Sequence, residues 1–442
     1  MNRVSEMHIG LNLIYLVPGD TGGMEVYARE LIPELVRGAA PGTRFTAFVS
    51  REAAASADGP WGELMPAVTV PVNARRREQW VLGEQAFLPR LAARAGVDLV
   101  HSLASTAPAY GRFRRVLTVH DLIYARFPDA HPGLRDRGMR VLVPLAARRS
   151  TRVIAISDST RRDLVELLRL PGERIDVVPQ GLGAVRRLPE ALEEYGGTES
   201  GVEEPDIGAP GIEQASIDTP TALSARDTRA RFALGERRVL LTLSAKRPHK
   251  NLLALVGAFA RIPSERRPVL VLPGYPTWHE AELRARAAEL GVLADVRFEG
   301  WLSGGEIEGL WGLADAFVFP SLYEGFGLPV LEAMARGVPV ACADTSSLPE
   351  VAGDAALMFD PRSEPAIAQA IERLLGDPAL ARDLRERGLA RAREFSWERT
   401  ARLTLDSYGR ALGSPAPPSG SSPPAAAADP EGLGGVVGGA DS

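Results

Sequence analysis

The chain has 442 residues, of which 45% are hydrophobic and 24% are charged, values that are ordinary for a globular protein of two or three domains. Its net charge of −5 argues against a general nucleic-acid-binding protein. The single cysteine, Cys342, excludes an internal disulfide framework and a cysteine-based metal cluster.

The sequence contains no run of about 20 apolar residues, the length that a membrane-spanning helix needs. The apolar run 9–17 is short, and Pro18-Gly19-Asp20 follows it instead of a small-residue cleavage site. We therefore expect a cytoplasmic protein that meets a membrane, if at all, from the inner face. Residues 1–183 contain 24 arginines and 19 acidic residues, a net charge of +5. Much of this excess lies in 112–152, which indicates either a solvated helix face or a surface for anionic lipid or an acidic acceptor.

In the first part of the chain, short apolar runs alternate with amphipathic helical stretches. A helix is predicted over 23–37 because apolar side chains recur near helical spacing. Strands are predicted at 7–17, 98–102, 115–119, 151–156 and 176–179. This alternation predicts a domain, 1–183, with parallel strands and helices on both faces of the sheet.

The composition changes at 184–225, which contains two arginines and nine acidic residues among many Gly, Pro, Ser and Thr. We predict a flexible acidic insertion between domains there. A second alternating series, 226–395, predicts another Rossmann-like domain, with strands at 239–244, 269–273, 296–299, 316–320, 338–341 and 356–359.

The last part of the chain is predicted to form helices followed by a tail. Residues 374–394 are predicted to be helical and charged, and a further helix over 396–412 is predicted to pack back toward the first domain. Ser396 is a candidate N-cap for that last helix. The Pro, Ala, Ser and Gly of 413–442 predict a disordered tail.

Two doubly wound α/β domains that face each other across a cleft bind ligands at the carboxyl ends of their strands. Gly22 and Gly23 follow the first predicted strand, where they permit close backbone approach and leave helix amides for an anion. The same pair also fits an ordinary strand-to-helix turn. His120 follows another strand and could donate a hydrogen bond or accept a proton, although a lone histidine is more often structural.

Four cationic or potentially cationic residues follow the predicted strand 239–244: Lys246, Arg247, His249 and Lys250. They stand at the start of a helix, where the helix dipole already disfavours positive charge. An anion among them would offset the repulsion, and arginine and lysine both suit phosphate. This stretch therefore predicts a phosphate site.

Two glutamates, Glu324 and Glu332, stand eight positions apart after the predicted strand 316–320. Glycines punctuate the loop 322–327, Pro329 suits a first helical turn and Gly337 suits a helix end. Glu324 is thus predicted in a loop and Glu332 in a helix. Two carboxylates suit a polyol, whereas a metal pair is disfavoured because no further Asp or His is nearby in sequence.

Taken together, these stretches resemble the retaining glycosyltransferases of family four, which have the two-lobed GT-B fold. The resemblance extends from about Met7 to Leu412, interrupted at 184–225, and the family pattern has Asn where Gln180 stands. It is carried by Gly22-Gly23-Met24-Glu25, Thr118-Val119-His120-Asp121, Ile156-Ser157-Asp158-Ser159, Pro179-Gln180-Gly181, Arg247 with Lys250-Asn251, the Glu-x7-Glu signature within 319–340, and 346–356.

The resemblance implies four catalytic residues. Arg247 and Lys250 would hold the donor's diphosphate. Glu324 would contact hydroxyls of the transferred sugar, and His120 would bond the same sugar.

The resemblance also implies a set of donor-binding residues. The glycine loop would line the diphosphate from the other lobe, the loop 300–302 would flank the base, the amides of 326–328 would lie near the sugar, and Glu332 would take the ribose hydroxyls. The set is Gly22, Gly23, Gly300, Trp301, Leu302, Phe326, Gly327, Leu328 and Glu332.

The expected function is that of a metal-independent, cofactor-free retaining hexosyltransferase, with mannose as one candidate sugar, acting in polysaccharide assembly. Its partners would be a GDP- or UDP-linked sugar donor, a glycan or lipid-linked acceptor and an anionic membrane surface, but no nucleic acid. A nucleotide-sugar epimerase on the same fold and a non-catalytic sugar-nucleotide-binding protein remain alternatives. A dinucleotide oxidoreductase is disfavoured because no GxGxxG fingerprint follows a strand.

Overall fold

The structure is a computed structural model that describes residues 7–56, 59–127, 134–183 and 222–413, with the backbone alone for 134–137. The predicted acidic insertion, apart from its last residues 222–225, and the predicted tail beyond Gly413 lie outside the described residues. Both therefore stay predictions. Ala225 already belongs to a helix, whose N-cap is Ser224.

The described part of the chain forms two sheets in which every strand pair is parallel. The first sheet contains β1 (His8–Leu13), β2 (Arg44–Val49), β3 (Ala67–Thr69), β4 (Leu99–Ser102), β5 (Arg114–Val119), β6 (Arg152–Ala155) and β7 (Ile175–Val177). The second contains β8 (Val239–Leu241), β9 (Val269–Leu272), β10 (Val296–Phe298), β11 (Ala316–Phe319), β12 (Val340–Ala343) and β13 (Ala356–Phe359).

Helices connect the strands and cover both sheets, as parallel strands require. A π-helix, Gly83–Phe87, joins two of them. The α-helices are α1 (Gly23–Gly38), α2 (Arg51–Ala55), α3 (Pro60–Glu63), α4 (Arg77–Leu82), α5 (Leu88–Ala95), α6 (Ile123–Arg126), α7 (Leu134–Arg149), α8 (Asp158–Leu168), α9 (Ala225–Arg231), α10 (Leu252–Ala260), α11 (His279–Glu289), α12 (Gly304–Leu313), α13 (Leu328–Ala335), α14 (Leu348–Ala352), α15 (Glu364–Gly376), α16 (Pro378–Ala392) and α17 (Trp397–Leu412).

The strand order of each sheet reverses direction at one point, where ligands of doubly wound domains bind. In the first sheet, β3-β2-β1-β4-β5-β6-β7, that point lies between β1 and β4. In the second, β10-β9-β8-β11-β12-β13, it lies between β8 and β11. The prediction of two doubly wound α/β domains is confirmed, and the loops after these four strands are where a site is expected.

Several element boundaries differ from the sequence prediction. The strands β2 and β3 were not predicted, and the first strand ends at Leu13 rather than at residue 17. The single helix predicted over 374–394 is wrong, because Asp377 separates α15 from α16 and its side chain accepts hydrogen bonds from the first amides of α16. Ser396 does cap α17, since its side chain accepts a hydrogen bond from the Arg399 amide.

The last helix connects the two domains. It follows α16 of the second domain but packs against α1, β5 and β6 of the first. The Tyr408 hydroxyl lies 2.7 Å from His101 Nδ1, and Ser407 donates a hydrogen bond to Asp176 at 2.7 Å. Burial lowers the pKa of His101 to about 3, so this ring is neutral.

Candidate active site

The loops that follow β8 and β11 touch each other at the switch point of the second sheet. The Leu322 amide donates to the His249 carbonyl at 2.8 Å, and Asn251 Nδ2 donates to the Pro320 carbonyl at 3.1 Å. These contacts place the predicted phosphate-binding stretch beside the first glutamate of the Glu-x7-Glu pattern.

The side chains of Lys250 and Glu324 meet at this point. Lys250 Nζ lies 2.7 Å from Glu324 Oε1, and the ammonium lies 5.4 Å from the centre of the Phe319 ring. The Glu324 side chain is largely buried, and its amide donates to Ser346 Oγ at 3.0 Å. A carboxylate has about four acceptor positions, so Glu324 retains capacity for hydroxyl groups beyond its bond to Lys250.

The glycines of the loop permit two close approaches. A Cβ on Gly325 would lie 2.0 Å from the His120 carbonyl oxygen of the other lobe. Gly327 has a φ of 113°, which a residue with a side chain adopts only with strain, and it precedes α13 directly. Phe326 is buried against Phe395, so its side chain is part of the core and only its backbone is left for a ligand.

His120 is held by polar contacts on both ring nitrogens. Nε2 donates to the Leu103 carbonyl at 2.7 Å, and Nδ1 accepts a bond of 3.3 Å from the Gln180 amide. The edge of the Tyr27 ring packs against it with centroids 4.9 Å apart. Burial lowers the pKa of His120, so the ring is neutral and its acceptor lone pair is on Nδ1. It can therefore accept a hydrogen bond from a substrate hydroxyl in place of Gln180.

The four cations after β8 do not act as one group. Lys246 is fully buried, and its ammonium donates to the carbonyls of Gly274 at 2.8 Å and Glu299 at 2.6 Å. It also lies 3.3 Å from a carboxylate oxygen of Glu280. Burial lowers the pKa of Lys246, while Glu280 opposes that shift. The sequence interpretation of four cations around one anion is corrected by this geometry, because Lys246 fixes neighbouring loops instead.

Two other cations of that stretch stay near the cleft loops. Arg247 is half-buried in extended backbone and precedes the short 3₁₀ turn Pro248–Lys250. Lys250 ends that turn and reaches Glu324. Arg247 and Lys250 therefore both lie in the loop that follows β8, beside the loop that carries Glu324.

Glu332 lies in the second turn of α13 and is half-buried. Burial raises the pKa of Glu332. The charge of Arg336 lowers that pKa, and the charge of Glu308 raises it. Arg336 is itself paired with Glu308 at 2.7 Å. Among the described residues, no hydrogen bond or ion pair joins the Glu332 side chain to Lys250 or Glu324.

The loop after β10 lies at the same edge of the second sheet. The Gly300 carbonyl accepts a bond of 3.1 Å from the Gly274 amide, and Leu302 is half-buried. The Trp301 side chain is 54% exposed and contacts the Tyr275 ring edge-on at 6.3 Å. A large exposed aromatic ring at this place offers a face on which a nucleobase can stack.

The glycine loop of the first lobe begins α1. Gly22 is its N-cap with a φ of 64°, and no atom lies within 4 Å of a Cβ built on Gly22 or Gly23. The loop is held in shape by Glu25, which accepts a bond of 2.9 Å from the Gly19 amide. The first amides of α1 thus border open space, and helix N-termini attract anions.

A set of contacts between the lobes was not assigned from the sequence. The Tyr323 hydroxyl donates to Asp163 Oδ2 at 2.6 Å and accepts from the Leu122 amide at 3.3 Å. The Thr160 hydroxyl donates to the Gly325 carbonyl at 3.3 Å. Tyr323 and Gly325 belong to the loop that carries Glu324, and 156–159 was singled out in sequence, but nothing in either stretch indicates that they meet.

A carboxylate of the second lobe caps a helix of the first. Both Glu350 carboxylate oxygens accept from the Asp158 amide at 3.1 Å, at the start of α8. Burial and the nearby Asp158 charge raise the pKa of Glu350 to about 7.

Within 7–56, 59–127, 134–183 and 222–413, no group of three or more His, Cys, Asp or Glu side chains is arranged to hold a metal ion. None of the helices in those ranges is long and apolar enough to cross a membrane.

Comparison with known proteins identifies the family to which the chain is similar. Residues 225–391 match the family model of glycosyl transferases group 1, and residues 21–184 match that of glycosyltransferase family 4. The O-antigen chain mannosyltransferase B of Escherichia coli is 30% identical over 298 residues, which cover 67% of this chain and 70% of that protein. The serotype-specific mannosyltransferase WbdA of the same species is 28% identical over 68% of this chain, which spans only 34% of that longer protein.

Solved structures bear on the fold alone. Sucrose-phosphate synthase from Thermosynechococcus elongatus superimposes with a TM-score of 0.64 at 21% identity, over 91% of this chain and 98% of that one. Because both lobes match family models and the first curated relative aligns across the two, the chain belongs to the glycosyl transferases group 1, glycosyltransferases of the GT-B fold.

Proposed function

We propose that this glycosyltransferase moves a hexose from a nucleoside-diphosphate sugar to a glycan or lipid-linked acceptor, with retention of anomeric configuration and without a metal ion. The observation that carries the proposal is the Lys250–Glu324 contact at the switch point of the second sheet. It pairs a cation suited to a phosphate with a carboxylate suited to sugar hydroxyls. Mannose is the favoured sugar because two relatives are named mannosyltransferases.

The difficult charge in such a transfer develops on the leaving diphosphate. Arg247 and Lys250 would stabilise it, together with the free amides at the start of α13, which opens with Gly327 as N-cap. These positive groups could replace a metal ion, and they are fixed in place before the reaction by the turn Pro248–Lys250.

Retention is supported by the surroundings of the two polar groups nearest the expected sugar. Glu324 is engaged by Lys250, and the only N–H of the neutral His120 ring donates to the Leu103 carbonyl. Neither group is held as a nucleophile, so we favour attack on the same face from which the diphosphate leaves. The departing phosphate then takes the acceptor's proton, and closure of Gly325 onto His120 excludes water.

The acceptor would be presented at a membrane surface. On α7, Val141 is 65% exposed and Leu145 is 37% exposed, and Arg140, Arg148 and Arg149 are exposed beside them. Apolar side chains flanked by arginines suit the interface of an anionic bilayer, which fits a peripheral protein at the inner membrane face. Sedimentation with phosphatidylglycerol vesicles should fall in Val141→Glu, and equal binding to neutral phosphatidylcholine vesicles would contradict the proposal.

The decisive experiment is a transfer assay on purified protein with GDP-mannose and UDP-hexoses. Arg247→Ala should lower kcat/KM about 10²–10³-fold, the usual effect of losing one transition-state donor. Arg266→Ala, an exposed arginine far from the cleft loops, is the matched control and should transfer normally. Activity should persist in excess EDTA, and the product should have the donor's anomeric configuration. Inversion of configuration, or EDTA inactivation that Mg²⁺ or Mn²⁺ reverses, contradicts the corresponding part of the proposal.

A further inference from the structure

A polar pocket lies between the lobes, beside the loop that carries Glu324. Its volume is about 320 Å³, within the usual range of about 300–1,000 Å³ for small-ligand sites. The first lobe contributes the end of α6 and one face of α8, and the second contributes the loops after β11, β12 and β13. Tyr323 lines this pocket, whereas its neighbour Glu324 is bound to Lys250.

Three arginines and two carboxylates line the pocket, and within the described ranges only one of the arginines has an ion pair. Arg126 is committed to Asp163 and Glu166, with hydrogen bonds of 2.9 Å to each. Arg162 of α8 and Arg362 of the loop after β13 also line the pocket, and neither guanidinium has an ion pair among the described residues, although the charge of Arg162 lowers the pKa of the nearby Glu350 carboxyl. The two come from opposite lobes, so an anion between them would be held from both sides.

The remaining lining suits a carbohydrate. Ser159, Thr345 and Ser346 present hydroxyl groups, and the rings of Phe127 and Tyr323 lie 6.0 Å apart at one side. Hydroxyl groups can both donate and accept hydrogen bonds, as sugar hydroxyls require, and aromatic rings pack against the apolar faces of sugars.

Ser346 connects this pocket to the proposed donor site. Its Oγ accepts the Glu324 amide at 3.0 Å, and its own φ is 54°. A non-glycine residue in this conformation is strained, and such strain is concentrated at functional sites. A ligand that bonds Ser346 would therefore act on the backbone that places Glu324.

We propose that this pocket binds a sugar unit bearing a phosphate or carboxylate group, with Arg162 and Arg362 on the anionic group and the hydroxyl-bearing residues on the ring. The assignment of this sugar unit to the acceptor rests on the proposed function, whereas the binding of such a unit to the pocket does not. The neutral donor sugar carries no such group beyond its diphosphate, so the pocket gives the enzyme a preference for anionic acceptors.

Isothermal titration of the full chain with mannose 6-phosphate, glucuronate, mannose and inorganic phosphate tests the proposal. We expect one of the two anionic sugars to bind and mannose not to bind. Arg362→Ala should weaken that binding about 10–100-fold, as for a lost charge-assisted hydrogen bond. Arg382→Ala, an exposed arginine on α16 that does not line the pocket, should leave it unchanged. GDP and UDP binding are measured in parallel. A wild-type protein that binds neither nucleotide would count against the proposed donor site alone.

Four results overturn the proposal. The first is that neither anionic sugar binds, and the second is that mannose binds as tightly as its phosphate. The third is equal binding by wild type and Arg362→Ala. If inorganic phosphate binds as tightly as mannose 6-phosphate, the pocket is an anion site without sugar recognition, which also overturns it.

Discussion

Replacing Lys246 by methionine tests whether one buried ammonium fixes three loops of the second lobe. Methionine has a similar length and no charge. The substitution removes the donor from the carbonyls of Gly274 and Glu299, 2.8 and 2.6 Å away, and from the Glu280 carboxylate at 3.3 Å. Two loop carbonyls then lack a partner in a site where the lysine side chain is completely buried.

The size of the effect follows from these partners. A buried acceptor left unpaired costs about 1–3 kcal/mol, and breaking a buried charge pair costs about 3–5 kcal/mol. The Glu280 side chain is 18% exposed, so water solvates part of its charge, and removal of the buried ammonium recovers its own desolvation cost. We therefore expect a loss of about 2–4 kcal/mol in unfolding free energy, or about 4–16 °C in Tm for a domain of this size.

The assay is calorimetric or urea unfolding of Lys246→Met, together with donor kinetics. Glu299 directly precedes the loop 300–302, and Lys246 directly precedes Arg247, so the donor's KM should rise more than kcat falls. Glu280→Gln is the matched control, because it keeps both carbonyl bonds and should therefore cost less than Lys246→Met. A Lys246→Met protein that melts within about 1 °C of wild type would refute the reasoning.

Three further substitutions test contacts elsewhere. Tyr323→Phe removes the hydroxyl that bonds Asp163 and should lower the free energy of urea unfolding by about 1–3 kcal/mol, so an unchanged midpoint counts against that bond. Gly325→Ala places a methyl group 2.0 Å from the His120 carbonyl, so transfer should fall with an unchanged circular dichroism spectrum, and normal turnover would contradict closure there. Burial raises the pKa of Glu84 from 4.5 to about 7, so folded protein binds its proton more tightly and stability falls as pH rises through that interval. Glu84→Gln should remove a fall of about 3 kcal/mol between pH 4.5 and 8, and an unaltered pH profile would rule this out.

The sequence predicted the features that depend on local pattern. Apolar runs separated by helical periodicity indicated both sheets, and Lys250 and Glu324 each follow a strand that flanks the same switch point, so their meeting follows from topology. The short β3 has only three residues at a sheet edge, which leaves almost no pattern to recognise.

Side-chain direction and long-range pairs could not be predicted. Lys246 is followed closely in sequence by three other cationic or potentially cationic residues. Only the structure shows that its ammonium is buried against the Gly274 and Glu299 carbonyls and so points away from those residues. Tyr323 and Asp163 are 160 positions apart, and nothing local to either residue indicates that they pair across the lobes. Glu84 is a similar case. A charged residue in a helix would ordinarily face solvent, whereas Glu84 is buried in its π-helix.

The loop after β11 contacts both lobes, because consecutive residues point to different partners. Tyr323 bonds Asp163 of the first lobe, Glu324 bonds Lys250 of its own lobe, and Gly325 packs on the His120 carbonyl. In the proposed function, a diphosphate that attracts Lys250 would weaken the Lys250–Glu324 contact, and we predict that Tyr323 and Gly325 shift with it. On that proposal, donor binding and the contact between the lobes would share a coupling free energy, and each would strengthen or weaken the other by the same factor.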